Sequence, residues 1–194
     1  MKLLKIVWAI VAVLPLMSYA QIPEKEVQIK IAVQALPEDQ RTEATVLGYN
    51  ENEELVTLRE GTNAFTCLSD NPFQEGFNAA CYHKSLNAFM QRGRELKAIG
   101  KTTSEVFALR EEEAQSGKLQ MPEKPATLYV LYGKDAAYNP ATQQVENARL
   151  RWVVYIPYAT PDSSGLPTGP MIDGGPWIMF PGTHAAHIMI TPPQ

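Results

Sequence analysis

The 194-residue chain is poor in the residues that usually carry chemistry: it holds two cysteines and three histidines. The cysteines, Cys67 and Cys81, are too far apart for the C-x-x-C spacing that lowers a thiol pKa, which argues against redox catalysis. The histidines, His83, His184 and His187, are just enough for a metal centre on paper. The H-E-x-x-H pattern with its catalytic glutamate is absent, however, and His184-x-x-His187 lies near a Pro-Gly turn rather than on a helix. No G-x-S-x-G elbow occurs, and Ser163-Ser164-Gly165 lacks a strand-turn-helix setting. The absence of a G-x-G-x-x-G or P-loop pattern argues against a nucleotide site. Basic clusters are missing too. With 17 Lys and Arg against 21 Asp and Glu, the formal charge is -4, which gives no electrostatic footprint for nucleic acid or an anionic membrane surface. Internal repeats and low-complexity tracts are also absent.

The first twenty residues do carry a signal. Met1 to Lys5 is a short cationic start, Ile6 to Met17 is apolar, and Ser18 and Ala20 are small residues at the two positions a signal peptidase reads. The apolar stretch is shorter than the ~20 residues a spanning helix needs. The reading is a signal peptide over 1–20, export to the periplasm or beyond, and a mature chain starting at Gln21. Loss of Lys2 and Lys5 then brings the charge to -6. The remainder, 21–194, suits one domain, with no second hydrophobic span to hold it in a membrane.

Export changes the meaning of the cysteines. In an oxidising compartment Cys67 and Cys81 are the one possible intrachain pair, closing a short loop that contains SDNPFQEGFNAA. Two free buried thiols are the competing reading.

Periodicity predicts strands, then helices, then strands. Val27, Ile29, Ile31 and Val33 alternate with Gln28, Lys30, Ala32 and Gln34, the period of a half-buried strand. Segments 44–49 and 55–59 read as a hairpin through the polar turn NENE, and 64–68 as a further strand. Tyr82, Leu86, Phe89, Gly93 and Leu96 predict a helix from about 78 to 99, stopped by Gly100. Thr102-Thr-Ser-Glu105 matches a capping box opening a second helix, whose Arg110-Glu-Glu-Glu113 run reads as a solvated face. Segments 127–132, 150–158, 177–180 and 188–190 are β-rich. DAAYNPATQQ and the long 159–175 stretch read as exposed loops, the second long enough for a lid or binding loop. The expected fold is a single α+β domain, a mainly antiparallel sheet packed against a helical hairpin.

Three patches of the chain resemble a group of uncharacterised bacterial exported proteins: LREGTNAFTCLSDNP (58–72), ACYHKSL (80–86) and GGPWIMFPGTHAAHIMI (174–190). That group shares an LR-x-GTN-x-x-x-C stretch followed by a second cysteine, and a C-terminal GGPW-[IV]-M-x-x-GT-x-x-x-HIM run. The resemblance implies export and pairing of the two cysteines, and it implies no activity. It includes His187 but not His184, which argues against a site that needs both.

Two functions remain. Trp152, Tyr155, Tyr158, Trp177 and Phe180 flank the long loop, where Asp173 also lies, and aromatics with polar tips commonly line ligand clefts. The first reading is a non-catalytic binding module for a small molecule or an envelope partner, with no cofactor and no catalytic residue to name. The alternative is a metal-dependent hydrolase using His83, His184 and His187. A structural or interaction role fits the same residues. The GTHAAH segment is expected to turn between two core strands, with His187 the more buried of the pair and neutral.

Overall fold

In the computed structural model, which describes residues 21–193, the first element corrects the sequence reading. Lys25–Val33 is a helix, α1, and not a strand. Its buried residues are Gln28, Ile29, Ile31, Ala32 and Val33, continued by Ala35 and Leu36. Positions 28, 29, 32, 35 and 36 share one side of a helix, whereas a strand would have turned Gln28 and Ala32 to solvent. Gln28 hides the pattern because it is polar yet only 2% exposed. Its amide substitutes for a strand partner: Nε2 donates to the carbonyls of Pro23 (2.8 Å) and Tyr49 (2.9 Å), and Oε1 accepts from the Tyr49 N–H (2.7 Å). With every major polar atom paired, its burial carries little penalty.

β1 (Thr45–Tyr49) and β2 (Leu55–Arg59) form the expected antiparallel hairpin. β3 (Phe65–Leu68) runs parallel to β1, and β4 (Phe77–His83) antiparallel to β3. β4 overturns the first third of the expected long helix, because its period is two. Phe77, Ala79 and Cys81 pack among α1 residues on one face, while Tyr82 packs with Phe89 on the other. Cys67 and Cys81 stand opposite each other in the register, with Cα atoms 3.9 Å apart, and are joined by a disulfide buried beneath α1.

The helix begins only after a 3-10 turn. α2 (Asn87–Ala98) buries Phe89, Gly93 and Leu96 of the predicted stripe. α3 (Thr103–Gln115) opens on the expected capping box, and the Thr102 N–H, helped by Lys101, holds the Glu105 carboxyl at about 2. Gly100 and Gly117 take left-handed φ where helices were expected to stop. Arg92 of α2 pairs with Glu113 of α3 at 2.6 Å.

β5 (Ala126–Gly133) leads to β6 (Ala137–Asn139) and β7 (Gln144–Glu146), a separate two-stranded ribbon in the region read as a loop. Tyr138 and Val145 of this ribbon pack with Ile31 and Phe77, so it completes the cover over α1's face of the sheet. β8 (Arg149–Tyr155), a one-turn helix α4 (Pro161–Ser164), β9 (Trp177–Met179) and β10 (His187–Ile190) follow. The eight-stranded sheet has the order β2-β1-β3-β4-β5-β8-β10-β9, antiparallel except between β1 and β3. The fold is thus α+β, with α1 on one face and residues of α2 and α3 on the other.

The LREGTN stretch serves this architecture. Arg59 donates to the carbonyls of Ala44 and Arg41, Asn63 Nδ2 donates to Gln40 O, and Thr62 hydrogen-bonds the Glu43 carboxylate. A Cβ at Gly61 would lie 2.2 Å from the Thr45 nitrogen, so only glycine lets the two backbones cross there. Among the described residues no helix is long and apolar enough to cross a membrane. The expected signal peptide lies outside the described residues.

Candidate functional site

Residues 180–186 do form a turn between β9 and β10, whose register pairs Met179 with His187. The burial of the two histidines differs from expectation. His187 is 6% exposed, but His184 is completely buried. The His184 ring lies edge-on to Phe89 and Phe107, with centroids 5.6 and 4.8 Å away. Its Nδ1–H donates to Glu111 Oε2 at 2.6 Å, and its backbone N–H donates to the same oxygen at 2.9 Å. His184 Nε2 is buried without a partner among the described residues. Burial among these rings pushes the imidazole below its ordinary pKa, outweighing the attraction of Glu111. Burial alone would raise Glu111, but the hydrogen bonds from His184 and Gln115 hold its carboxyl below the usual range. The pair is therefore a neutral imidazole donating to a carboxylate, which ties the β9–β10 turn to α3.

His187 is held differently. Its Nδ1–H donates to Ala185 O at 2.7 Å, and its ring meets those of Tyr155 and Phe180. Desolvation lowers its pKa as well, so its Nε2 is an unprotonated acceptor. That ring lines a cavity of about 600 Å³ between the sheet and α2 and α3. Tyr82, Leu128, Val153 and Met189 stand opposite one another across β4, β5, β8 and β10 and make the floor. Met90 of α2 and Val106 of α3 close over it.

The polar lining of this cavity is one-signed. Arg94, Lys97, Arg110 and Arg151 contribute to it, and no carboxylate does. Arg110, in the run read as a solvated face, lies with its guanidinium 4.0 Å from the Phe89 ring centre and donates to Phe89 O at 3.3 Å. Arg151 stacks on Tyr132 at 4.3 Å. The run was misread because its members serve different partners: Arg110 covers Phe89, Glu111 serves His184, Glu113 serves Arg92, and only Glu112 is exposed. A helix delivers neighbouring residues to different sides, about 100° apart, so a charge run alone says nothing of where each one points.

The residues expected to bind a ligand are dispersed. Tyr155 lines the cavity and is joined there by His187. Trp152, 40% exposed, alternates with Val153 and faces the opposite side of β8. Tyr158 and Phe180 are exposed at the corner, and Phe180 rests on Phe107 with centroids 5.2 Å apart. Asp173 and Trp177 border a separate depression of about 330 Å³ with Met171 and Ile172. No residue of the 159–175 loop lines the larger cavity. Met90, Arg94, Arg110 and Arg151 were not foreseen; the alternation of Arg151, Val153 and Tyr155 on one face of β8 could have found Arg151, and no local signal points to the other three.

The three histidines do not converge. The ring of His83 packs on Phe65, which belongs with the α1 cluster, and its Nδ1 meets Ser85 Oγ at 2.8 Å. His184 and His187 lie on the other side of the sheet. Among the described residues no three His, Cys, Asp or Glu side chains gather as a metal site would require. No family model, curated protein or solved structure matches the chain.

Proposed function

We propose that this protein is an exported, disulfide-stapled binding module that holds a small, largely apolar molecule between its sheet and the hairpin of α2 and α3. The observation that carries the reading is the 600 Å³ cavity, within the usual range for small-molecule sites. Its lining fits that role: Leu128, Val130 and Val153 supply a rigid apolar floor, and Met90, Met179 and Met189 add adaptable apolar surface. Export is supported by the signal pattern of residues 1–20 and by the buried disulfide.

The test is a fluorescence titration with the neutral apolar probe N-phenyl-1-naphthylamine, beside mass spectrometry of organic extracts from natively purified protein. Saturable binding is expected, and Ala80→Trp should abolish it while circular dichroism stays native. Ala80 lines the cavity and is not fully buried, so an indole there fills the space without entering the core. Probe binding that survives Ala80→Trp, or no saturable binding at all, overturns the reading.

A further inference from the structure

We infer that the occupant of this cavity is an acid: an apolar body carrying a carboxylate, phosphate or sulfate head that the guanidinium groups of Arg110 and Arg151 receive. The inference rests on the cavity-binding reading above and adds to it the charge and chemical class of the ligand.

The lining argues for this by what it pairs and what it leaves unpaired. The chain has more acids than bases, yet none of its 21 acidic residues lines the cavity, and four cations do. Among the described residues none of those four forms an ion pair. The Nε atoms of both Arg110 and Arg151 are buried without a protein acceptor. Burying a guanidinium costs free energy unless an anion or acceptors replace its water, and stacking on Phe89 and Tyr132 recovers only part of that.

Arg110 makes the case most clearly. Glu111, Glu112 and Glu113 follow it directly, and none serves it. Glu111 is bound by His184 and Glu113 by Arg92, while Glu112 is exposed. The carboxylates adjacent in sequence are thus committed elsewhere or exposed, and none pairs with the guanidinium. Gly93 keeps room for that group, since a Cβ there would lie 3.0 Å from Arg110 Nη1. Two titratable groups in the same lining add no competing charge: His187 is neutral, and burial keeps the Tyr155 hydroxyl protonated.

Charge beyond the cavity also sets direction. An adjoining groove of about 960 Å³ shares Leu68, Asn78, Ala80, Arg94 and Lys97 with the cavity, but Glu53, Asp70, Glu75 and Glu95 line that groove and not the cavity. An anionic head is less favoured in that groove than beside Arg110 and Arg151. Arginine suits the task because its planar fork binds carboxylate or phosphate through two parallel hydrogen bonds.

The experiment compares ligands of one shape and different charge. Decanoate, decyl phosphate and decanol are titrated against the protein preloaded with N-phenyl-1-naphthylamine, below their micelle concentrations. Decanoate and decyl phosphate should displace the probe at least about tenfold more tightly than decanol, with the gap narrowing as salt is raised. Arg110→Met and Arg151→Met should each reduce that preference about fivefold or more and leave decanol affinity unchanged, whereas Lys118→Met, remote from the cavity, should leave it intact. If Arg110→Met fails to fold, Arg151→Met and the salt dependence decide. Equal binding of acid and alcohol, or a preference that survives the arginine variants, overturns the inference while leaving the cavity reading in place. Failure of all three ligands and of the probe overturns both.

Discussion

Replacing His184 tests how the C-terminal turn is anchored, because the structure reverses the ranking that the sequence suggests. His184→Ala removes a fully buried ring that meets Phe89 and Phe107 edge-on and donates to Glu111 at 2.6 Å. Truncating a buried imidazole, smaller than a Phe ring, costs about 3 kcal/mol, cavity included. Loss of a charge-assisted hydrogen bond adds about 1.5 kcal/mol, reduced here because the Glu111 side chain is 21% exposed and keeps the His184 backbone N–H as donor. The expected total is about 4 kcal/mol. For a domain of this length that corresponds to a fall in Tm of about 8–16 °C. His187→Ala removes a ring that borders an open cavity and bonds one carbonyl, so about 2 kcal/mol is expected. His184→Phe keeps an aromatic ring in the site and loses the hydrogen bond, and should fall between wild type and His184→Ala. Equilibrium urea unfolding, read as midpoints at unchanged slope, measures all three. A loss below about 1 kcal/mol for His184→Ala, or a larger loss for His187→Ala, would refute the anchoring argument.

Acidification should weaken the fold from near-neutral pH downward, through the two histidines. Both histidines are depressed in the folded state, so as pH falls from about 7 toward about 5 the unfolded chain takes up protons that the native state refuses, and the urea midpoint drops. Glu111, also depressed, continues the loss below its ordinary value. A flat midpoint over that range, or an unchanged slope in the double variant His184→Phe/His187→Phe, contradicts this. Replacing both Cys67 and Cys81 with Ala should cost about 3 kcal/mol through the freed loop, seen as a lower Tm, and the buried bridge should resist reductant until the protein unfolds. Gly61→Ala should destabilise by more than about 2 kcal/mol in urea, because its Cβ would overlap the Ala44–Thr45 backbone; a neutral result would show that the 59–63 clamp is dispensable.

The sequence by itself determined the elements whose signals are local. The NENE hairpin, the capping box at Thr102 and Glu105, the stops at Gly100 and Gly117, and the apolar runs of β5, β8 and β10 all depend on neighbours within a few residues. The cysteine pairing was legible for a different reason: two residues allow one intrachain bond. The tertiary structure decided everything that depended on a distant partner. Gln28 takes a buried place on α1 because its amide hydrogen-bonds Tyr49 twenty-one positions away, which no window of periodicity can register. Asn78 to His83 could continue a helical stripe, yet pairing with β3 and β5 makes it a central strand. The charge run from Arg110 to Glu113 looks solvated in one dimension, and the packing of α3 sends its members to Phe89, His184 and Arg92. The cavity is of the same kind, because its arginines come from α2, α3 and β8, and only the tertiary fold brings them to one cavity.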